Sequence, residues 1–223
     1  NVRIHVEGAE DQTLVAKFLE ADQGHLFDDW EDLDSTGRRK LLDDLSRIDL
    51  GFLQQLVSDH LTSDPESLPV ATPSPPPMIP LGDPGREKAK SLGLEALSRG
   101  EVGVMLLAGG VGTRLGHAGP KGSYPLLPLT QMTLFQFFAE SLLRRQKEVG
   151  TAIPWWIMTS PSNHEETVQY FRDHQFHGLN SSDVMILPQE ELPVIDPRRG
   201  KILRKGPGRI LFSPDGHGGA IRL

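Results

Sequence analysis

Residues 102–116 read VGVMLLAGGVGTRLG, an apolar run that passes into a loop rich in glycine. The run from Val102 to Ala108 has the length and composition of a buried strand. Glycines let backbone N–H groups converge on an anion without obstruction by a Cβ, and the guanidinium of Arg114 adds donors that match phosphate oxygens. The segment therefore predicts a strand followed by a phosphate-binding loop. Its glycines are Gly109, Gly110, Gly112 and Gly116.

Two familiar phosphate loops do not match this segment. The Walker pattern GxxxxGK[ST] fails because no Lys followed by Ser or Thr stands at that spacing after these glycines. The dinucleotide pattern GxGxxG fails because Leu115 occupies the place of the third glycine, and no Asp or Glu lies between Gly116 and Glu140 to bind a ribose. We interpret the segment as a nucleotide loop of another kind, which disfavours an NTP hydrolase.

A second short motif, Pro120-Lys121-Gly122, follows the glycine loop and brings an ammonium group beside it. In this interpretation Lys121 neutralises charge on a phosphoryl group during transfer, and Arg114 holds a departing pyrophosphate. Such catalysis depends on positioning and electrostatics, so it needs no covalent nucleophile.

Beyond residue 86 the chain alternates apolar strands with amphipathic helices, which is typical of a parallel sheet with right-handed crossovers. A hairpin is also predicted, with strands at Lys201–Lys205 and Arg209–Phe212. Three parallel strands do not complete a buried sheet, so we expect the chain to be the front part of a longer polypeptide. The predicted elements after residue 86 are strands at 102–108, 153–159 and 183–187 and helices at 86–98, 134–149 and 164–174.

The first third of the chain has a different character. Apolar residues between Leu14 and Leu61 fall at helical spacing and predict three or four amphipathic helices. Residues 62–85 carry eight of the 18 prolines and predict a linker. We therefore divide the chain into an N-terminal helical segment (1–62), a proline-rich linker (63–85) and the incomplete front part of an α/β domain (86–223).

Composition narrows the function classes. The chain of 223 residues has no cysteine, which excludes disulfides, thiolate zinc sites and cysteine nucleophiles and fits a cytoplasmic protein. No apolar run approaches the roughly 20 residues of a membrane helix, so we expect no membrane partner. Residues 1–66 hold 16 acids and 6 bases, whereas residues 67–223 hold 14 acids and 17 bases. This mild basic excess suits a small anionic ligand better than a nucleic acid.

The sequence LLAGGVGTRLG at 106–116, followed by PKG at 120–122, resembles the signature of the eukaryotic-type UDP-sugar pyrophosphorylases, most closely the UDP-N-acetylhexosamine pyrophosphorylases. HLFDDW at 25–30, IPWWIMTS at 153–160 and SPDGHGG at 213–219 agree in order. The resemblance implies a Rossmann-like, GT-A-like nucleotidyltransferase with a mixed sheet, preceded by helices. It also implies an enzyme that converts UTP and a sugar 1-phosphate to a UDP-sugar and pyrophosphate with Mg²⁺.

The same resemblance implies roles for individual residues. Arg114 and Lys121 match the catalytic residues on the phosphates, Gln189 matches a residue that recognises uracil, and His217 falls at the position that reaches the sugar. The metal-binding aspartate of the family is expected beyond Leu223. The implied nucleotide contacts are Leu107, Ala108, Gly109, Gly110, Gly112, Thr113, Gln189 and Gly216.

The sequence leaves the identity of the sugar 1-phosphate substrate open. Acetylhexosamine enzymes usually read PDGNGG, whereas UDP-glucose and broad-specificity UDP-sugar enzymes carry His in a Gly-His-Gly context. Residues 214–216 follow the first group and His217 the second. PKG and the Thr113-Arg114 pair favour N-acetylglucosamine 1-phosphate. A non-catalytic regulatory homologue that only binds nucleotide is a further alternative, against which the retention of Arg114 and Lys121 argues.

Other conspicuous residues have simpler interpretations. Trp155 and Trp156 point to opposite faces of one strand, so we expect core packing for both. His174 and His177 lack a third ligand nearby and are expected at the surface or at a helix cap. The basic run at 198–209 has no interleaved aromatic residues, so we expect a solvated hairpin face and no nucleic-acid site.

Overall fold

The computed structural model describes residues 4–60, 74–127 and 129–221. The chain divides into two compact units, Asn1–Pro73 with Glu191–Ser213, and Ser74–Glu190 with Pro214–Leu223. Residues 63–73 of the predicted linker lie outside the described part. The helices are α1 (Ala9–Glu20), α2 (Ser35–Ser46), α3 (Leu50–His60), α4 (Gly85–Ser98), α5 (Leu134–Val149) and α6 (His164–Asp173). The strands are β1 (Val104–Leu107), β2 (Trp155–Thr159), β3 (Val184–Pro188), β4 (Glu191–Pro193), β5 (Ile195–Asp196), β6 (Lys201–Ile202), β7 (Arg204–Gly206), β8 (Arg209–Ile210) and β9 (Phe212–Pro214).

The second unit contains the predicted parallel sheet. Its strand order is β1-β2-β3, with Val104 opposite Trp155 and Trp155 opposite Val184. The sequence prediction of strand, helix, strand, helix, strand is confirmed. Strand β1, Val104–Leu107, is shorter at both ends than the predicted 102–108. Just before it, a Cβ on Gly103 would lie 2.0 Å from the Trp156 ring, so glycine is needed there.

Helix α5 has a capping residue at each end, Thr133 before its first residue and Gly150 after its last. The Thr133 hydroxyl accepts a hydrogen bond from the Gln136 N–H at 3.1 Å, and Gly150 closes the helix in the left-handed conformation. Phe135, Ala139 and Leu142 recur at helical spacing and are buried against the sheet. Trp155 is 1% exposed in the same core, so its expected packing is confirmed.

The helices of the first unit surround their own apolar core. Three α-helices form, as predicted, and 3-10 turns at Gly24–Phe27 and Trp30–Asp32 connect α1 to α2. The Asp34 carboxylate caps α2 by accepting the Gly37 N–H at 2.7 Å. The most buried members of this core are Phe18, Leu26, Phe27, Trp30, Leu41 and Leu45, together with Ile202 and Ile210 from the later strands.

Residues 191–213, which the sequence division placed with the α/β domain, pack within the first unit. The predicted hairpin forms in a shorter version, since Arg204–Gly206 pairs with Arg209–Ile210. Strand β6 pairs instead with β5, Ile195 opposite Ile202. The Ile202 side chain is fully buried and its N–H donates to the Gln23 side chain at 3.0 Å, whereas the Leu211 N–H donates to the Leu203 carbonyl at 2.9 Å.

Ion pairs account for much of the basic run on these strands. Lys201 Nζ lies 2.7 Å from an Asp22 oxygen, and an Arg204 nitrogen lies 2.6 Å from an Asp29 oxygen. The acidic N-terminal segment is therefore partly neutralised by bases from residues 201–204. Within the described residues, none of the helices is both long and apolar enough to cross a membrane.

Candidate nucleotide site

A cavity of about 470 Å³ opens in the second unit where the three parallel strands end. Ser160 directly follows β2 and Gln189 directly follows β3, and both reach the cavity. Ligands in open α/β sheets bind outside the carboxyl ends of the strands, and the volume is in the range of small-molecule sites. The lining residues are Leu106, Leu107, Ala108, Gly109, Gly110, Lys121, Gly122, Leu134, Phe135, Ser160, Gln189, Pro214, Gly216 and His217.

The cavity brings together eight of the residues singled out from the sequence. They are Leu107, Ala108, Gly109, Gly110, Lys121, Gln189, Gly216 and His217. Gly112, Thr113 and Arg114 are not part of the lining. Arg114 lies on the 3-10 turn Thr113–Leu115, where its side chain is exposed, and Gly116 ends that turn with a φ of 66°. The structure therefore separates Arg114, on the outer part of the loop, from Lys121 in the cavity wall.

Close approach of two chain segments explains the first loop glycine. A Cβ on Gly109 would lie 2.8 Å from Oε1 of Gln189 and 3.4 Å from the Ser160 nitrogen. Gln189 is 7% exposed, and its N–H donates to the Thr159 carbonyl at 2.7 Å. The absence of a side chain at residue 109 thus leaves room for the amide of Gln189 at the cavity.

Backbone hydrogen bonds hold Lys121 beside the glycine loop. The Lys121 N–H donates to the Gly110 carbonyl at 3.0 Å, and the Gly112 N–H donates to the Gly119 carbonyl at 2.9 Å. Val111 and Pro120 form an antiparallel bridge between these two bonds. The segment from 110 to 121 is therefore a small hairpin that returns the chain to the cavity, with the ammonium-bearing residue at its end.

Asn163 is a site residue that the sequence analysis did not identify. Its side chain is 1% exposed and donates from Nδ2 to the carbonyls of Ala108 at 3.0 Å and Gly110 at 3.1 Å. Its Oδ1 accepts from the Ser160 N–H and hydroxyl, both at 2.9 Å. These four bonds fix the start of the glycine loop to the end of β2. The sequence signal was limited to an Asn placed just before a helix.

Another part of the cavity wall comes from Pro214, Gly216 and His217. Gly216 adopts a φ of 83°, which favours glycine, and His217 begins the 3-10 turn His217–Ile221 with an exposed side chain. The Asp215 N–H donates to the Glu190 carbonyl at 3.0 Å. Its carboxylate lies against the backbone of Gly219, where a Cβ would stand 2.6 Å from either oxygen.

The charges at the cavity suit an anion. Lys121 is cationic, and none of the described residues that line the cavity is acidic. Loop N–H groups and an ammonium group together favour phosphate oxygens. The described part of the chain has no group of three or more His, Cys, Asp or Glu side chains arranged to hold a metal ion. Since Mg²⁺ is usually held through carboxylates as well as substrate phosphates, these residues do not fit a magnesium site formed by the protein alone.

Comparisons with known proteins show which family the chain resembles. A profile of the family described as UTP–glucose-1-phosphate uridylyltransferase matches residues 85–222. The UDP-N-acetylglucosamine pyrophosphorylase of Saccharomyces cerevisiae is 36% identical over 220 residues, which make up 92% of this chain and 46% of that protein. UDP-N-acetylglucosamine diphosphorylase 2 of Arabidopsis thaliana is 35% identical over 225 residues, covering 93% of this chain and 44% of that protein.

A solved structure supports the fold. The uridine diphosphate N-acetylglucosamine pyrophosphorylase from Trypanosoma brucei, crystallised in complex with an inhibitor, superposes with a TM-score of 0.69 at 24% identity, over 97% of this chain and 45% of that one. The Rossmann-like fold with preceding helices that the sequence predicts is confirmed. The chain spans a little under half the length of each of these relatives.

Proposed function

The chain belongs to the UTP–glucose-1-phosphate uridylyltransferase family, and from this premise we propose that the protein transfers the uridylyl group of UTP to a sugar 1-phosphate. The products are a UDP-sugar and pyrophosphate. The observation that carries the proposal is the cavity at the strand ends, in which Gly109, Gly110 and Lys121 meet beside Gln189.

The proposed reaction is a single in-line displacement at the α-phosphorus of UTP. A phosphate oxygen of the sugar 1-phosphate forms the new P–O bond, and the bond from the α-phosphorus to the oxygen bridging to the β-phosphate breaks. That oxygen leaves with its electron pair on pyrophosphate. Lys121 stabilises the charge that develops on the transferred group. Electrostatic stabilisation of this kind is usually the largest single contribution to catalysis.

Arg114 has a separate role in this proposal. It lies on the exposed turn of the loop, outside the cavity lining. A guanidinium on the outer part of the loop is suited to the departing pyrophosphate, because it offers several donors to phosphate oxygens that leave toward solvent. Lys121 therefore acts at the reacting phosphorus and Arg114 on the leaving group.

Recognition of uracil is assigned to Gln189. A side-chain amide presents both a donor and an acceptor, which matches the N3–H and carbonyl edge of uracil. The amide of Gln189 is nearly buried beside Gly109, so its position is restricted. Leu107, Ala108 and Gly216, which line the same cavity, complete the proposed nucleotide contacts.

N-acetylglucosamine 1-phosphate is the proposed sugar substrate. The names of the yeast and Arabidopsis relatives support this choice, since both refer to UDP-N-acetylglucosamine. His217 is the residue that differs from the expected pattern of those enzymes, and it lines the cavity. Mg²⁺ stays a prediction for the complete reaction, and no step above depends on it.

Pyrophosphate release by the full-length protein tests this proposal. The assay contains UTP, Mg²⁺ and one of three substrates: N-acetylglucosamine 1-phosphate, glucose 1-phosphate or galactose 1-phosphate. The fastest pyrophosphate release with the acetylated sugar is the expected result. Faster release with glucose 1-phosphate or galactose 1-phosphate would instead indicate a UDP-glucose or broad-specificity UDP-sugar pyrophosphorylase. If the protein binds UTP but releases no pyrophosphate with any of the three sugars, the proposed enzyme activity is refuted and a regulatory nucleotide-binding role is supported.

A further inference from the structure

His117 lies inside the small hairpin that connects the glycine loop to Lys121. A Cβ on Gly112 would stand 2.8 Å from His117 Cβ, and a Cβ on Gly119 would stand 3.2 Å from His117 Nε2. The imidazole also meets the Tyr124 ring edge to face, with centroids 5.7 Å apart. Two glycines therefore make room for this ring at the place where the hairpin closes.

The imidazole is hydrogen-bonded to the turn that carries Lys121. His117 Nε2 and the Ser123 hydroxyl oxygen are 2.8 Å apart, and the same hydroxyl donates to the Pro120 carbonyl at 2.8 Å. Since the single hydroxyl hydrogen is used on Pro120, His117 must donate from Nε2. The neutral Nε2–H tautomer and the imidazolium both satisfy this requirement.

These contacts hold Lys121 from both sides along the chain. On one side its own N–H donates to the Gly110 carbonyl, and on the other Ser123 is held by His117. We propose that His117 is a positioning residue that fixes the Lys121 turn against the glycine loop through Ser123. The inference rests on the proposed uridylyl transfer, because it is there that the position of Lys121 affects the rate.

This role predicts a particular kinetic signature. His117 and Ser123 are not among the residues that line the cavity. Their loss is therefore expected to leave ground-state binding of UTP nearly unchanged and to affect the step in which Lys121 meets developing charge. Small displacements of a catalytic group have large effects on rate.

Four variants of the full-length protein test the role. His117→Phe keeps an aromatic ring against Tyr124 and removes the donor, whereas His117→Gln retains a donor of similar reach. Ser123→Ala removes the acceptor, and the fourth variant combines His117→Phe with Ser123→Ala. We expect kcat to fall about tenfold or more in His117→Phe and in Ser123→Ala. The dissociation constant of UTP should stay within about twofold, and His117→Gln should recover most of the loss.

The double variant should be no worse than Ser123→Ala alone, because that substitution already breaks the bond to His117 as well as the bond from Ser123 to the Pro120 carbonyl. Equal losses in His117→Phe and His117→Gln, or an unchanged kcat in Ser123→Ala, would overturn the proposal. Amide hydrogen exchange at Lys121 gives a readout that does not depend on turnover. Exchange should accelerate at least about tenfold in His117→Phe and not in His117→Gln.

The experiments distinguish between an error in the positioning role of His117 and an error in the proposed function. Absence of turnover in the unmodified protein refutes uridylyl transfer. Unchanged exchange at Lys121 in His117→Phe refutes the hydrogen-bonded link, whatever the turnover of the unmodified protein.

Discussion

The ring of Phe135 lies against the α-carbon of Gly122, where a Cβ would stand 2.2 Å from two of the ring atoms. Phe135 is in the first turn of α5 and is 1% exposed, so it has little freedom to move away. The glycine of the PKG motif is therefore required for the Lys121 turn to pack on the start of α5. The position of Lys121 depends on this helix as well as on the glycine loop.

Gly122→Ala should destabilise the protein and lower turnover, because the added methyl displaces the Phe135 ring or the Lys121 turn. We expect the free energy of unfolding to fall by about 1–3 kcal/mol, as in other overpacked cores. Denaturant unfolding measures the loss. Phe135→Leu in the same chain should recover part of it. Gly93→Ala is the matched control, since no other atom lies within 4 Å of a Cβ there and α4 should gain stability. Equal effects of the two alanines would contradict the packing argument.

Lys121→Ala should lower turnover more than it weakens UTP binding, because the ammonium group acts mainly on charge that develops during transfer. We expect kcat to fall about 100-fold or more and the dissociation constant of UTP to rise less than about tenfold. Pyrophosphate release and titration calorimetry measure the two quantities. Lys147→Ala, an exposed lysine in the last turn of α5, is the control for loss of one positive charge. If UTP affinity and kcat/KM fell by the same factor and kcat did not change, Lys121 would contribute to UTP binding alone.

Asn163→Ala should loosen the start of the glycine loop, because the Ala108 carbonyl loses the Asn163 donor and the Gly110 carbonyl loses one of its two donors. The Gly110 carbonyl still accepts from the Lys121 N–H. We expect the free energy of unfolding to fall by about 1–3 kcal/mol, and UTP binding should weaken as well. Asn163→Asp retains the acceptor toward Ser160 but places a carboxylate beside two carbonyl oxygens, so it should be at least as damaging. Ser162→Ala, which removes an exposed side chain with a single hydroxyl contact to Ser160, should change stability by less than about 0.5 kcal/mol. A stable Asn163→Asp variant would show that the donors are unimportant.

His217→Asn should shift sugar preference toward N-acetylglucosamine 1-phosphate. An amide presents a donor and an acceptor in one plane and is smaller than an imidazole, so it suits an acetamido group. We expect the ratio of kcat/KM for the acetylated sugar to that for glucose 1-phosphate to rise by about tenfold. Competition between the two substrates measures the ratio. If the ratio does not change, His217 has no part in choosing the sugar.

The free energy of unfolding should decrease at acidic pH, because His177 becomes protonated more readily in the unfolded chain than in the folded one. Burial and the nearby charge of His174 lower the pKa of His177 below its usual 6.5, against an opposing effect of Glu140. The imidazole also lies 3.1 Å from the Tyr170 hydroxyl. Because the unfolded chain binds the proton more readily, the free energy of unfolding is largest above pH 6.5 and falls as the pH drops below that value toward the pKa of the folded state.

Denaturant unfolding across this pH range checks the prediction on His177. His177→Asn is the appropriate substitution, because residue 177 has a φ of 51° and Asn tolerates this left-handed conformation. The variant should lose part of the dependence on pH. The same slope with and without the imidazole would contradict the assignment.

The sequence was most informative where a pattern and its cause are local. Apolar runs predicted β1, β2 and β3, and the amphipathic pattern at 134–149 predicted α5, because strand burial and helical spacing involve neighbouring residues. The glycine loop and Lys121 were also close enough in the chain to be recognised together.

Features that depend on distant contacts were not predicted. Asn163 reaches the carbonyls of Ala108 and Gly110, which lie 55 and 53 residues earlier in the chain. Ile202, which the sequence placed in a hairpin strand, is buried in a core formed mainly by the N-terminal helices and pairs with Ile195. Arg114 was grouped with Lys121 because they are neighbours in sequence, yet the intervening turn leaves Arg114 outside the cavity lining.

The bond from the Gln23 side chain to the Gly200 carbonyl joins residues 177 positions apart. At a ribosomal rate of about 5–20 residues per second, roughly 10–35 s separate the synthesis of these two residues. During that interval α1 and α2 have emerged without Ile202 and Ile210, which complete their apolar core. The nascent N-terminal helices are thus exposed to aggregation until translation passes residue 210, and chaperone capture of the growing chain is expected in this window.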